Sequence, residues 1–160
     1  MLPQTLAAIR GLWDDVQPVA QQAVVGQLVD LWERKSYLLL PGVTRSYAVR
    51  LLGADATHTS EVSLVSIFRD ADTDALVRRD VILAMARRRC LWWLSDLMQQ
   101  FGALQSGWER RAFLAATPVM TEEATHFVRK TERSLSEFER LVLSWARDHY
   151  KADNNWLPPL

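Results

Sequence analysis

The sequence contains a single cysteine, Cys90, and only three lysines, and it has no long apolar run. One cysteine excludes an internal disulfide and a cysteine metal cluster, which fits a reducing cytosol. The apolar runs are far shorter than the roughly 18 residues that a membrane-spanning helix needs. No basic segment followed by a long apolar run marks a signal peptide after Met1. We therefore expect a cytoplasmic protein without membrane contacts.

Charge is balanced over the whole chain but not along it. Lysine plus arginine and aspartate plus glutamate both number 19, so no net field draws the protein to nucleic acid or membrane. Between Arg78 and Arg111, however, seven arginines stand against three acids. Arginine suits planar contacts to carboxylate or phosphate. With 160 residues, 49% of them apolar, the chain is long enough for one globular domain.

Three alternating aspartates, Asp70, Asp72 and Asp74, imitate the start of a calcium-binding loop. Such a loop needs glycine at its sixth position and glutamate at its twelfth, where this chain has Ala75 and Val81. Helix capping explains these aspartates better than calcium binding. We therefore predict no metal at this segment.

No other pattern of residues predicts catalysis. His58, His126 and His149 are isolated from one another and from Cys90 in the sequence, so none has a partner at metal-ligand spacing. Cys90 has no base assigned to it and is better explained as a small apolar residue. The chain has neither a glycine-rich phosphate loop nor a nucleophile elbow. We therefore expect a non-enzymatic protein without cofactor or metal.

Apolar residues recur at helical spacing from one end of the sequence to the other, and sustained alternation is absent. The pattern predicts nine helices, at 4–13, 18–40, 43–52, 61–69, 74–88, 91–101, 106–117, 121–132 and 134–150. Two capping boxes are predicted, Ser106 with Glu109 and Ser134 with Glu137. Gly53 is predicted to end the third helix. Residues 153–160, with two prolines, are predicted to be an irregular tail.

One two-helix sequence pattern occurs twice between residues 72 and 116. Each copy contains a double arginine, Arg78-Arg79 or Arg110-Arg111, followed by an apolar helix with small residues such as Ala84. The copies are 32 residues apart, a period typical of stacked helical repeats. We predict one helical-repeat domain over 1–152, with its best units at 72–101 and 106–131. A weaker third unit at 43–49 places Arg45 a further 33 residues before Arg78.

The first copy resembles the HEAT repeat. The residues that carry the resemblance are Asp72, Asp74, Val77, Arg78, Arg79, Ile82 and Ala84. The resemblance implies that the acids cap a neighbouring turn, that arginine bridges to adjacent acids, and that alanines let helices approach closely. The fold class that follows is all-α, a HEAT-like α-solenoid of stacked antiparallel helix pairs.

A narrower resemblance joins the double arginine, Trp93-Leu-Ser-Asp-Leu and Trp108-Glu-Arg-Arg-Ala-Phe-Leu-Ala-Ala. Together they resemble the helical-repeat region that follows the polymerase in bacterial reverse transcriptases of the abortive-infection group. The segment from Thr117 to Met120 departs from that family, and the sequence has no Tyr-x-Asp-Asp polymerase motif. The resemblance therefore implies a detached repeat domain or partner subunit in a reverse-transcriptase-based antiphage defence system.

The arginines of the repeat allow two hypotheses. The residues concerned are Arg78, Arg79, Arg89, Arg110 and Arg111. They could form a basic ridge that contacts phosphates, since Arg78 and Arg89 would share a side of a continuous helix. Alternatively, salt bridges between repeats use them, with Asp74, Asp80 and Glu109 as partners. We favour the salt bridges.

Tryptophan is abundant, with seven residues. Trp92 and Trp93 cannot both face one core, because adjacent helical residues point about 100° apart. Trp156 belongs to no apolar stripe, and it either anchors a partner or folds back on the last helix. Our leading prediction is a protein-interaction scaffold with Trp93 and Trp156 as anchors beside the arginines. The alternative is a nucleic-acid-binding module whose arginines hold a template, primer or product strand.

Overall fold

The computed structural model describes residues 3–104, 106–120 and 122–150, and these are helical with no strand. Nine α-helices lie in the described residues: α1 Pro3–Gly11, α2 Pro18–Glu33, α3 Gly42–Ala54, α4 His58–Arg69, α5 Ala75–Arg87, α6 Leu91–Gln99, α7 Gly107–Ala116, α8 Glu122–Thr131 and α9 Glu137–His149. Short 3-10 turns join several of them, at Trp13–Asp15, Ser36–Leu39, Phe101–Ala103, Thr117–Met120 and Glu132–Ser134. The predicted all-α class is confirmed. The predicted tail at 153–160 and the end of the domain at 152 lie outside the described residues.

The odd-numbered helices pack on one another in chain order. α1 contacts α3, α3 contacts α5, α5 contacts α7 and α7 contacts α9. The even-numbered helices lie beside this row, with α2 and α4 against α3, α4 and α6 against α5, and α2 against α4. None of the helices in the described part of the chain is both long and apolar enough to cross a membrane.

The apolar core follows the row of odd helices. Its largest fully buried side chains are Tyr37, Phe113, Leu6, Leu28, Leu51, Leu52, Leu64, Ile67, Ile82, Met85, Leu94 and Leu114. α5 is the most deeply embedded helix, since every residue from Asp80 to Ala86 is buried. Three of the Phe rings, Phe101, Phe113 and Phe127, contact one another at 5.2 to 5.5 Å and join α7 to α8.

The predicted start of α5 is confirmed, and the predicted start of α9 is wrong by two residues. The Asp74 carboxylate accepts hydrogen bonds from the amides of Leu76 and Val77, both at 3.0 Å. The capping box of α9 is formed by Ser136 and Glu139. Ser134 does not cap that helix, because it ends the preceding 3-10 turn and its hydroxyl donates to a carbonyl of α8.

α2 ends earlier than predicted, because contacts with a distant loop favour a turn. Lys35 adopts a left-handed conformation with φ 54°, which stops the helix after Glu33. Its ammonium lies 2.7 Å from a carboxylate oxygen of Asp72. Tyr37 follows, fully buried, with its ring stacked on Trp32 and its hydroxyl donating to Asp70. Two of the aspartates whose spacing resembles a calcium-binding loop, Asp70 and Asp72, therefore bind the residues that follow α2 and fix where that helix ends.

Gly53 does not end α3, which continues to Ala54. Its lack of a side chain instead lets α3 approach α5. A Cβ placed on Gly53 would lie 2.5 Å from Cβ and 3.2 Å from Cα of Ala84. Since real carbon atoms do not approach this closely, the pairing of Gly53 with Ala84 sets the distance between the two helices. Ala84 and Ala115 are both buried, as expected for small residues at helix contacts.

Candidate functional site

Three arginines, spaced by 32 or 33 residues, each pair with an acid at the start of the next odd helix. The pairs are Arg45 with Asp74 at 3.1 Å, Arg78 with Glu109 at 3.7 Å and Arg110 with Glu139 at 2.6 Å. In each pair the carboxylate lies near the positive N-terminal end of its own helix, which favours a negative charge, and the arginine of the preceding odd helix pairs with that carboxylate. The same ion pair therefore joins α3 to α5, α5 to α7 and α7 to α9.

The Arg110–Glu139 pair has the closest geometry of the three. Nε and Nη2 of Arg110 donate to the two carboxylate oxygens of Glu139 at 2.6 and 3.4 Å. Glu139 also accepts from the backbone amide of Ser136, which completes the capping box. The hydrogen bond from Arg110 is the main reason why the pKa of the Glu139 carboxyl lies below its ordinary value, and the hydrogen bond from the Ser136 amide contributes less.

The second arginine of each double arginine contacts an aromatic ring on the next odd helix. Cζ of Arg79 lies 5.6 Å from the centre of the Trp108 ring, and Cζ of Arg111 lies 5.3 Å from that of Phe138. Arg111 also lies 4.8 Å from the ring centre of Trp108 on its own helix. These distances are typical of cation–π contacts. The two arginines therefore alternate with two rings across α5, α7 and α9.

The hypothesis of salt bridges between repeats is confirmed for Arg78, which pairs with the predicted Glu109, and for Arg110, although its partner is Glu139. Arg79 pairs with the predicted Asp80, but on its own helix. Besides its contact with Trp108, Arg79 donates from Nε to the buried carboxylate of Asp80 at 2.9 Å. Arg50 of α3 approaches the other oxygen of that carboxylate at 3.7 Å. These arginines pair with carboxylates of the protein itself. Their positive charges are therefore largely neutralised, which weakens any attraction to phosphate.

Arg89 does not join the other predicted interaction residues. Arg78 and Arg89 would share a side only on a continuous helix, and that condition is not met, because α5 ends at Arg87 and Arg89 has a left-handed conformation with φ 53°. Arg89 is exposed at the C-terminal end of α5, whereas Arg78 and Arg79 lie in its first turn. A continuous basic ridge of all five arginines is therefore not formed.

An open, mainly apolar groove of about 510 Å³ crosses the same three helices. Its lining residues are Arg79 and Leu83 from α5, Trp108, Arg111, Ala112 and Ala115 from α7, and Phe138, Leu141, Val142 and Trp145 from α9. Small and aliphatic side chains form much of this surface, and aromatic rings flank them. The groove contains both second arginines of the repeat, Arg79 and Arg111, so the repeat itself builds it.

α9 has two apolar faces and buries only one of them. Leu143 and Ala146 are buried. Phe138, Leu141 and Trp145 occupy an adjacent face and are 59%, 60% and 40% exposed. These three side chains therefore lie at the surface, and the described residues leave them uncovered. This exposed row forms one wall of the groove.

The structure reverses the prediction for the paired tryptophans. Trp93 is 3% exposed and its ring packs edge-on against Phe68, so it is unavailable as a surface anchor. Trp92 is 58% exposed, and its indole nitrogen donates to Glu61 at 3.3 Å. One of the two rings faces outward, as expected, but it is the other one. Trp156, the second predicted anchor, lies outside the described residues.

The described side chains that line the groove are apolar apart from two arginines. Arg79 and Arg111 are the only ionisable side chains among the described residues that line it, and arginine neither donates nor accepts protons at neutral pH. Within the described residues no group of three or more His, Cys, Asp or Glu side chains could hold a metal ion. Cys90 is buried away from this groove, and burial raises the pKa of its thiol.

Sequence reasoning missed the groove residues Trp108, Phe138, Leu141 and Trp145. A signal for them exists in the last helix, which carries more apolar residues than one buried stripe requires. A second signal is the repeat itself, since Trp108 and Phe138 stand at equivalent positions 30 residues apart, each following a double arginine by about 30 residues.

No protein-family model, curated protein or solved structure matches the chain. Proposals about its function therefore depend on the geometry of the groove and on the resemblances that its sequence carries.

Proposed function

We propose that this chain is a non-enzymatic, HEAT-like α-solenoid that acts as a scaffold by binding a partner protein. In this proposal α1 with α2, α3 with α4, α5 with α6 and α7 with α8 form the stacked antiparallel units, and α9 ends the row. The packing of α1, α3, α5, α7 and α9 in chain order supports it. So does the ion pair that recurs at the Arg45, Arg78 and Arg110 positions, because a repeating contact is typical of stacked repeats.

The observation that carries the binding function is the exposed groove. Monomeric proteins rarely leave contiguous apolar surface uncovered unless it binds something. Aromatic and arginine side chains are enriched in the central residues of protein interfaces. Here Trp108 and Phe138 are exposed beside Arg79 and Arg111 in one concave surface. A partner protein that covers these rings would gain the hydrophobic free energy that the folded chain leaves unused.

We propose that the partner is a reverse transcriptase or another subunit of an antiphage defence system. The support is the likeness of the double-arginine repeat, with Trp108 and the residues that follow it, to the repeat region of abortive-infection reverse transcriptases. A nucleic-acid-binding module is the competing function. It is less favoured because Arg78, Arg79 and Arg110 already neutralise acids of the protein, and nucleic-acid affinity depends on free cations that contact phosphates.

Site-specific photo-crosslinking in the native host tests the proposed function. Benzoylphenylalanine replaces Phe138 in the groove and, as the control, Val19, which is exposed on α2. Light should join a defined protein to the chain from position 138 but not from position 19. The adduct should disappear when Leu141→Asp is added, since Leu141 lines the groove and is exposed enough that a charge there should not unfold the chain.

Two results would contradict the proposed scaffold. One is a yield of protein adducts from position 138 that does not exceed the yield from position 19. The other is an adduct that nuclease removes, with binding to single strands that weakens steeply as salt increases, which would favour the nucleic-acid-binding module.

A further inference from the structure

The exposed wall of the groove has the spacing of a helix-binding ridge. Phe138, Leu141 and Trp145 stand at i, i+3 and i+7 on α9, so their side chains form one row along the helix. Across from them, Ala112 and Ala115 of α7 leave room at the base of the groove. A row of large side chains beside small ones is the surface into which a second helix packs its own ridge.

Arg111 makes the groove selective for charge. It stacks on Trp108 and Phe138, yet none of the ion pairs between described residues includes it. Arg79, at the equivalent repeat position, already pairs with Asp80. An apolar occupant would remove water from the Arg111 guanidinium, and a desolvated cation is costly unless a carboxylate pairs with it. The occupant therefore needs an acidic side chain at that point.

Other occupants fit the groove less well. An added β-strand needs the open edge of a sheet, and the described residues form no strand. A nucleic-acid strand needs several cations for its phosphates, whereas the groove has only Arg111 and the already paired Arg79. An apolar helix with an acid matches both the lining and its charge.

Resting on the proposed scaffold function, we infer that the groove binds one amphipathic helix of the partner protein. The apolar side of that helix covers Phe138, Leu141 and Trp145. An aspartate or glutamate on the same helix pairs with Arg111. Helix-in-groove binding of this kind is recognised by apolar anchors spaced at i, i+3 or i+4, and i+7.

Selection of peptides tests this inference without knowledge of the natural partner. A displayed library of peptides of about 16 residues, or roughly 24 Å of helix, is selected on the full chain and depleted on the Leu141→Asp variant. The enriched peptides are then synthesised and measured by fluorescence anisotropy against the parent, Leu141→Asp and Arg111→Glu. Val62→Asp is the control, because Val62 is equally exposed but lies on α4.

We expect enriched peptides with apolar residues at helical spacing and at least one acid. Leu141→Asp should weaken their binding by at least about tenfold, which corresponds to about 1.4 kcal/mol, and Val62→Asp should leave it unchanged. Arg111→Glu should weaken binding, and a lysine in place of the peptide acid should restore it. Circular dichroism verifies folding, and Arg111→Gln replaces Arg111→Glu if the latter unfolds.

The inference is overturned if enriched peptides lack acids, or if the charge exchange at Arg111 has no effect. It is also overturned if sedimentation shows a dimer that Leu141→Asp dissociates, since a second copy then covers the groove. Competition by a thymidine oligonucleotide would overturn it as well. If position 138 still cross-links a protein when the charge exchange fails, the scaffold stands and only the acidic helix is wrong.

Discussion

The two arginines of each repeat have different roles, although they are neighbours in the chain. On the next odd helix, Arg78 and Arg110 contact carboxylates, whereas Arg79 and Arg111 contact aromatic rings. Adjacent residues point about 100° apart on a helix, so one arginine reaches the next helix start and the other reaches the groove. The double arginine thus joins the repeats and also lines their shared surface.

At the residue scale, Glu139→Gln should lower the free energy of unfolding at pH 7 by about 1.5–3 kcal/mol, the range for a hydrogen bond to a charged group. Arg110 holds the pKa of Glu139 below its ordinary 4.5. The stabilisation is therefore present above pH 4.5 and is lost as the pH falls through the lower folded-state pKa. Urea unfolding of parent and variant between pH 7 and pH 3 measures this difference.

Glu137→Gln is the matched control, since Glu137 is exposed on the same first turn of α9. Its effect should stay within about 0.5 kcal/mol at every pH, as for most surface substitutions. An equal loss in both variants would mean that the Arg110–Glu139 pair contributes nothing specific.

At the scale of elements, the distance between neighbouring odd helices depends on small residues. Gly53 on α3 faces Ala84 on α5 so closely that no side chain fits between them. Close approach of the two backbones brings the larger side chains on either side, such as Leu52 and Met85, into full burial. Packing at native density makes such a contact sensitive to a single added methyl group.

Gly53→Ala should therefore destabilise the protein by about 1–3 kcal/mol, the usual effect of overpacking. Gly26→Ala, also inside a helix, should do the opposite and stabilise by about 0.5–1 kcal/mol, because alanine has higher helix propensity. Nothing lies within 4 Å of the Cβ position at Gly26. Thermal or urea unfolding of the two variants gives the comparison. Stabilisation by both would mean that α3 can move away from α5 freely.

The helices were predictable from the sequence because their signals are local. Periodicity and the Asp74 cap depend on residues within two turns of each other, and they place α5 within about a residue of its observed ends. The end of α2 was not predictable, since it depends on Lys35 and Tyr37 meeting Asp70 from 33 or more residues away. Which of Trp92 and Trp93 faces outward also depends on α4, whose Phe68 packs on Trp93.

At the scale of the whole molecule, contacts are mainly between neighbours along the row. α5 lies between α3 and α7 and also contacts α4 and α6, whereas α1 and α9 each have a single odd-numbered neighbour. In the stack that we propose, each unit would be stabilised by the units on either side. Local opening should therefore require the most free energy in the middle and the least at the ends.

Amide hydrogen exchange followed by mass spectrometry should thus show the slowest exchange in α5. Exchange should become faster through α3 and α7 towards α1 and α9. The gradient should steepen in mild urea, because the end helices open before the centre. Equal protection of α1, α5 and α9 would indicate a single all-or-none globule instead of a stack.

The junction between successive odd helices has the same chemistry each time: an arginine at a fixed position meets an acid at the start of the following helix. A gene duplication that inserts one whole unit would consequently leave every such junction satisfied, and the added copy would supply its own arginine and acid. Longer and shorter forms of this chain could therefore arise in evolution without further substitutions at the contacts between helices. In the scaffold that we propose, each added unit would also extend the groove, so the number of units would set the length of the helix that could bind there.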